Sequence, residues 1–73
     1  MKKINVNPAL DHDTHLKLFK LAISCNMSKT AMAEKIIKMS VNHTDIIDYF
    51  QNIYNTEPDF RVIPIMQDKK VTY

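Results

Sequence analysis

KKINVN, residues 2–7, alternates polar and apolar side chains as a short β-strand does, whereas the pattern of the next fifty residues is helical. The alternation places Ile4 and Val6 on one face of the strand. The polar residues of the other face are Lys3, Asn5 and Asn7. A single strand leaves its backbone N–H and C=O groups without partners, so the pattern predicts a partner strand.

The chain is small for a self-sufficient hydrophobic core. It has 73 residues, and a domain near this size buries only about 60% of the surface of its unfolded chain. Its one cysteine, Cys25, cannot form an intramolecular disulfide, which favours a reducing, cytoplasmic location. No apolar run approaches the roughly 20 residues of a membrane span, and no signal peptide is recognisable. We therefore expect a second chain to complete the core.

Charge is distributed unevenly along the sequence. Residues 1–43 contain seven lysines against three acidic residues, a net charge of +4. Residues 44–73 contain three basic and five acidic residues, a net charge of −2. The front half therefore suits a polyanion better than the rear half does, although an excess of this size also occurs on ordinary solvated surfaces.

A first helix is predicted over about residues 14–25, with Asp11 or Asp13 as its N-cap. Its apolar residues cover an arc that is too wide for one partner helix, so we expect burial from two sides. One face carries Leu18, Leu21, Ala22 and Cys25, and the other carries Leu16, Phe19 and Ile23.

Two further helices follow. Asn26 stands where a helix end needs a left-handed residue, and Ser28 is a good N-cap for a second helix. A third helix is predicted over about residues 45–55, with Asn42 or Thr44 as its cap. Its apolar stripe consists of Ile46, Ile47, Phe50, Ile53 and Tyr54.

Beyond the third helix the pattern changes. FRVIPIM, residues 60–66, is typical of an extended segment that Pro64 confines to the edge of a sheet. QDKKVTY, residues 67–73, is compatible either with a turn and a short return strand or with a loose tail.

The order of one strand, a capped helix, a tight turn and a second helix resembles the ribbon-helix-helix family of DNA-binding proteins, the MetJ/Arc superfamily. The resemblance covers about residues 2–42. Its most specific part is NMSKTAM, residues 26–32, which is similar to the turn and second-helix start of plasmid copy-control repressors in that family. The resemblance implies that the strand pairs antiparallel with the same strand of a second subunit, and that this ribbon enters the DNA major groove.

The expected fold is therefore a mostly α-helical, ribbon-helix-helix homodimer whose two N-terminal strands form an intermolecular two-stranded antiparallel ribbon. Residues 1–42 would form the DNA-binding and dimerisation core. Residues 43–73 would add a third helix and a C-terminal extension. We expect this added region to pack onto the dimer and enlarge its core, and its acidic balance should keep it away from DNA.

The outward face of the strand supplies the predicted base-reading residues, Lys3, Asn5 and Asn7. Asparagine can bond to adenine through two hydrogen bonds, and lysine suits the acceptors of guanine. The alternative is a polar solvent face on an edge strand. The resemblance also assigns a DNA phosphate contact to the start of the second helix, which here is Ser28 and Lys29, and Lys2 is a further expected phosphate contact. A plain N-cap role for Ser28 is compatible with this contact.

Other chemistry is weakly represented. DHDTH, residues 11–15, offers two histidines and two carboxylates, but no distant third or fourth ligand has the spacing of a metal site. The chain has no glycine for a phosphate-binding loop, and no nucleophile stands beside a base. We therefore expect no enzymatic activity, no metal and no cofactor.

The function implied is sequence-specific repression, autoregulating a plasmid or phage operon by occluding operator repeats on double-stranded DNA. Association beyond the dimer on DNA stays open. The main alternative is the antitoxin of a toxin–antitoxin pair, whose C-terminal segment binds a toxin protein. Such tails are usually disordered until bound, so a folded tail would favour the repressor. A DNA-relaxation or partition accessory protein shares the same DNA chemistry.

Overall fold

The computed structural model describes residues 3–73, which form three α-helices, a short 3-10 helix and a two-stranded antiparallel sheet. The elements are α1 (His12–Ser24), α2 (Lys29–Val41), α3 (Thr44–Tyr54), the 3-10 helix (Pro58–Phe60), β1 (Ile65–Gln67) and β2 (Lys70–Thr72). The prediction of a mostly helical fold is confirmed. Residues 3–11 lie outside these helices and strands, so the N-terminal strand, which needs a second chain, stays a prediction.

The chain divides into two compact units, Met1–Ala33 and Glu34–Tyr73. The first contains α1 and the start of α2. The second contains the remainder of α2, α3, the 3-10 helix and the β-hairpin. The predicted division after residue 42 presumes a dimer, and it stays a prediction.

Asp11 is the N-cap of α1. Its carboxylate accepts hydrogen bonds from the Thr14 backbone N–H at 3.0 Å and from the Thr14 hydroxyl at 2.6 Å. These bonds stabilise the ionised form and hold the pKa of Asp11 below its usual value. Asp13 lies in the first turn and pairs with Lys17 at 3.0 Å. Of the two predicted caps, Asp11 is therefore the one used.

Asn26 ends α1 in the left-handed conformation that the sequence predicted, with φ of 55°. The Asn26 N–H donates to the Ile23 carbonyl, and the Met27 N–H donates to the Ala22 carbonyl, each at 3.0 Å. This pair of bonds is the Schellman arrangement, which satisfies two carbonyls that the helix end leaves open. Asparagine tolerates the left-handed region better than most residues, which suits a chain that lacks glycine.

The predicted N-cap of α2 is correct, and the predicted N-cap of α3 is wrong. Ser28 caps the start of α2, because the Ser28 Oγ accepts from the Ala31 N–H at 3.1 Å. The predicted cap of α3 at Asn42 or Thr44 is wrong. The N-cap is His43, which makes no side-chain cap bond, and Thr44 is already helical. The Asn42 side chain instead donates to the Lys38 carbonyl at 2.7 Å, near the end of α2.

Hydrogen bonds attach the segment after α3 to α3 itself. The Val62 N–H donates to the Gln51 Oε1 at 3.1 Å, and the Arg61 guanidinium donates to the Asn52 Oδ1 at 2.9 Å. Asp68 and Lys69 then have φ of 50° and 65°, a pair of positive values typical of the type I′ turn of a two-residue hairpin. Of the two readings of residues 67–73, the turn with a return strand is the one observed.

The apolar core is small. Among residues 3–73 only Ala22, Met32 and Ile47 are buried, and no polar or charged side chain is. The first helix was predicted to be buried from two sides, but within the single chain Ala22 is its one buried residue. Its residues Leu16, Phe19, Leu21, Ile23 and Cys25 are all exposed, including the cysteine that was expected to pack.

Candidate nucleic-acid interface

The N-terminal segment presents both of its predicted faces to solvent. Ile4 is 91% exposed and Val6 is 74% exposed. Lys3, Asn5 and Asn7 are exposed as well. Ile4 and Val6, two residues apart, expose apolar surface, which is unfavourable in water. A second strand would pair with the backbone, and a ribbon packed on helices would cover this side-chain face. Lys2 lies outside the described residues.

The start of α2 presents backbone donors. Helix geometry leaves the N–H groups of Lys29 and Thr30 without an acceptor inside the helix, while Ser28 already satisfies the N–H of Ala31. Free N–H groups and the positive end of the helix dipole favour an anion here. Ser28 therefore serves as the N-cap, and its contact with phosphate stays a prediction.

The Lys29 side chain lies against α1. Its Nζ is 3.0 Å from the Nε2 of His15 and 5.5 Å from the centre of the Phe19 ring. An ammonium group has only donors, so the His15 Nε2 accepts this bond and the ring proton lies on Nδ1. A hydrogen bond and a cation–π contact together hold the Lys29 ammonium against α1.

Sequence reasoning did not identify His15 and Phe19 as neighbours of Lys29. It considered His15 only as a metal ligand and Phe19 only as part of an apolar face. The usable signal was their i, i+4 spacing, which places both side chains on the same side of α1. The turn at residues 25–28 then brings the start of α2 back to that side, as the contacts of Lys29 record.

The second unit contains an open apolar cavity of about 330 Å³. Its lining is mostly hydrophobic and includes Val41, Ile46, Ile47, Phe50, Val62 and Tyr73. Ser40 and Gln51 are the polar residues of the lining, and no charged residue belongs to it. The cavity is lined mainly by packing surface, and the described residues of its lining hold no cation that could pair with a phosphate.

Within residues 3–73, no three His, Cys, Asp or Glu side chains come together in a way that could hold a metal ion. Within the same residues, no helix combines the length and the apolar character that crossing a bilayer requires.

Comparison with known proteins returned no match to any family model, to any curated protein or to any solved structure.

Proposed function

We propose that the protein is a homodimeric, sequence-specific DNA-binding repressor of the ribbon-helix-helix type. The observation that carries the proposal is the exposure of Ile4 and Val6 beside Lys3, Asn5 and Asn7. A two-chain ribbon packed on the helices of the dimer would bury the two apolar residues of each subunit, and burying such a side chain fully stabilises by roughly 1.5–3 kcal/mol. The same pairing would turn the lysine and the two asparagines toward the major groove.

The exposed face of α1 supports association of two chains. Phe19 and Ile23 are 43% and 61% exposed, and Leu16 lies one turn before Phe19 on the same face. A 73-residue chain with three buried apolar residues among those described has little core of its own. A second copy that covers this face would bury the residues for which the sequence predicts two-sided packing.

Charge and the start of α2 support DNA as the ligand. Residues 1–43 carry a net charge of +4, and Lys29, the first residue of α2, holds its ammonium 3.0 Å from the His15 Nε2. Lys29, Ser28 and Lys2 would contact phosphates, which fix the position of the protein on the duplex. The ribbon would read the bases. The mechanism is occlusion, in which dimers on operator repeats block polymerase, autoregulating a plasmid or phage operon.

Repression is favoured over toxin neutralisation by the second unit. Residues 58–73 contain a 3-10 helix and a β-hairpin, and hydrogen bonds tie this segment to α3 and to the end of α2. The tail of an antitoxin is usually disordered until its toxin binds. A segment that is folded without a partner fits an enlarged repressor core better.

The proposal is tested by selecting DNA from a pool of random duplexes and measuring affinities by fluorescence anisotropy at fixed salt. We expect enrichment of a repeated site that the protein binds at least about 10³-fold more tightly than random duplex. The control variant Val6→Asp places a charge on the face that should be buried in the ribbon, and it should abolish dimerisation and site-specific binding together. Equal affinity for selected and random DNA would contradict the proposal.

A further inference from the structure

We infer that His15 is a second phosphate-contacting residue, which takes up a proton when Lys29 engages the DNA backbone. This inference rests on the proposed function, because it concerns the same contact of Lys29 with phosphate. It goes beyond that function by adding a residue from α1 and by making DNA affinity depend on pH. The observation behind it is the hydrogen bond between the Lys29 Nζ and the His15 Nε2, 3.0 Å apart.

Distance places both side chains within reach of the same phosphate group. Two nitrogen atoms 3.0 Å apart can each lie at hydrogen-bonding distance from oxygens of one phosphate. Both residues are exposed, so a duplex can approach them without displacing a buried side chain. The contact of the Lys29 ammonium with the Phe19 ring limits how far the ammonium can move when a phosphate arrives.

Protonation follows from the competition for one donor. In the free protein, the unprotonated His15 Nε2 accepts from Lys29. A phosphate oxygen that takes over the lysine donor leaves Nε2 without its proton donor and next to a negative charge. The Nε2 atom then binds one proton from solvent and donates to the phosphate, while the proton on Nδ1 stays in place. Histidine side chains in general change charge between pH 5 and pH 8, and this is the range in which the proposal is tested.

The charged groups around His15 are compatible with its taking up a proton when a phosphate binds. The N-cap Asp11 and His12 lie one turn before His15. The Lys29 ammonium adjoins His15 from α2, and it opposes a second positive charge there until a phosphate lies against both groups. The Asp11 carboxylate already accepts two hydrogen bonds from Thr14. Asp13, in the same turn, pairs with Lys17 at 3.0 Å. Both carboxylates therefore have partners of their own within this part of the chain. We expect a DNA phosphate to be the anion that contacts His15 and Lys29.

The alternative role for His15 is to hold Lys29 in place as a neutral acceptor. In that case acid would break the hydrogen bond and release the lysine, so affinity would fall or stay constant as pH decreases. Proton uptake predicts the opposite sign, because a complex that binds more protons than its free components is favoured by acid. The direction of the pH dependence therefore separates the two roles.

The experiment measures binding to a random-sequence duplex at about pH 8 and about pH 6, at fixed salt, by fluorescence anisotropy. We expect several-fold tighter binding at the lower pH, and a salt dependence that steepens by roughly 0.9 ion for each added phosphate contact. His15→Gln keeps an acceptor for Lys29 but cannot take up a proton, so its affinity should be independent of pH. His12→Gln removes the histidine one turn away and should retain the pH dependence of the wild type.

A wild-type affinity that is equal at both pH values, or lower at about pH 6, would overturn the inference. So would a pH dependence that His15→Gln preserves. Circular dichroism of each variant at both pH values distinguishes these results from a loss of folding. Failure of the proposed function is a separate outcome: selected and random duplexes would then bind equally, whereas phosphate contacts do not depend on sequence. Absence of binding to any duplex would overturn both.

Discussion

The hydroxyl group of Tyr73 donates a hydrogen bond to the backbone carbonyl of Val41, 2.9 Å away and 32 residues earlier in the sequence. Val41 is the final residue of α2, and the carbonyls of the last helical turn receive no hydrogen bond from an N–H group of the helix. The bond therefore gives the Val41 carbonyl a donor and connects Tyr73, the residue after β2, to the end of α2. Val41, Tyr73 and the β-hairpin all belong to the second compact unit.

Removal of this bond should measurably loosen the second unit. We expect Tyr73→Phe to lower the free energy of unfolding by roughly 0.5–1.5 kcal/mol, toward the lower end because the bond is exposed to water. Urea denaturation followed by circular dichroism gives the value. Tyr54→Phe, which removes an exposed hydroxyl from α3, is the matched control and should have a smaller effect. Equal effects of the two substitutions would mean that the bond contributes nothing.

Ile47, the buried residue of α3, should contribute more to the stability of the protein than the exposed residues of that helix do. Ile47 is 6% exposed and Ile53 is 52% exposed, so the two isoleucines of the same helix differ mainly in burial. Ile47→Ala should lower the free energy of unfolding by about 2–5 kcal/mol, because it removes buried methyl groups and leaves a cavity. Ile53→Ala should cost less. If the two variants unfolded at the same urea concentration, the packing of α3 in the second unit would be wrong as described.

Dimerisation should make stability depend on protein concentration. If Ile4, Val6 and the exposed face of α1 are covered by a second copy, folding and association are linked, and Tm should rise as the protein concentration is raised. Differential scanning calorimetry over a hundredfold range of concentration, with sedimentation equilibrium for the mass, measures this. A monomeric mass together with a Tm that does not change with concentration would exclude the ribbon-helix-helix dimer.

Base-reading and phosphate-contacting residues should differ in their effects on DNA binding. Asn5→Ala or Asn7→Ala should weaken binding to the selected site by roughly 1–3 kcal/mol and leave random-duplex binding nearly unchanged. Lys29→Ala should weaken binding to every sequence and lower the salt dependence by about one ion per subunit. Titrations of both duplexes at several salt concentrations separate the classes. Proportional losses on both duplexes in the asparagine variants would show that the strand is not the reader.

Acid should weaken the start of α1 through Asp11. The side-chain and backbone hydrogen bonds from Thr14 lower the pKa of Asp11 in the folded protein. Because the folded-state value is the lower one, the stabilisation is complete above the ordinary value of 3.8 and is lost as pH falls through the lowered value. Thermal melts across this range should show a smaller loss of Tm in Asp11→Asn, since asparagine caps without titrating. An identical acid dependence in both proteins would contradict this role.

Local features of the sequence were sufficient to predict the helices. The cap at Asp11, the left-handed Asn26 and the cap at Ser28 each depend on hydrogen bonds between residues at most five positions apart. Such bonds are set by residue type and spacing, because the chain between the partners is already helical or turning. The one wrong cap illustrates the limit. Asn42 lies between two helices and can serve either, and its bond to Lys38 is not distinguishable from a cap of α3 by spacing alone.

Contacts between elements needed the tertiary structure. Lys29 reaches His15 fourteen residues away, and Tyr73 reaches Val41 across thirty-two. The sequence could place each residue on a helix or near a strand, but which side chains meet depends on how the turns orient those elements, and a turn of one residue more or less would change the partners. The same limit applies to the apolar faces of residues 2–7 and of α1. The alternation of residues 2–7 and the period of α1 showed which residues share an apolar face, whereas only the tertiary structure showed that these faces are exposed in the single chain.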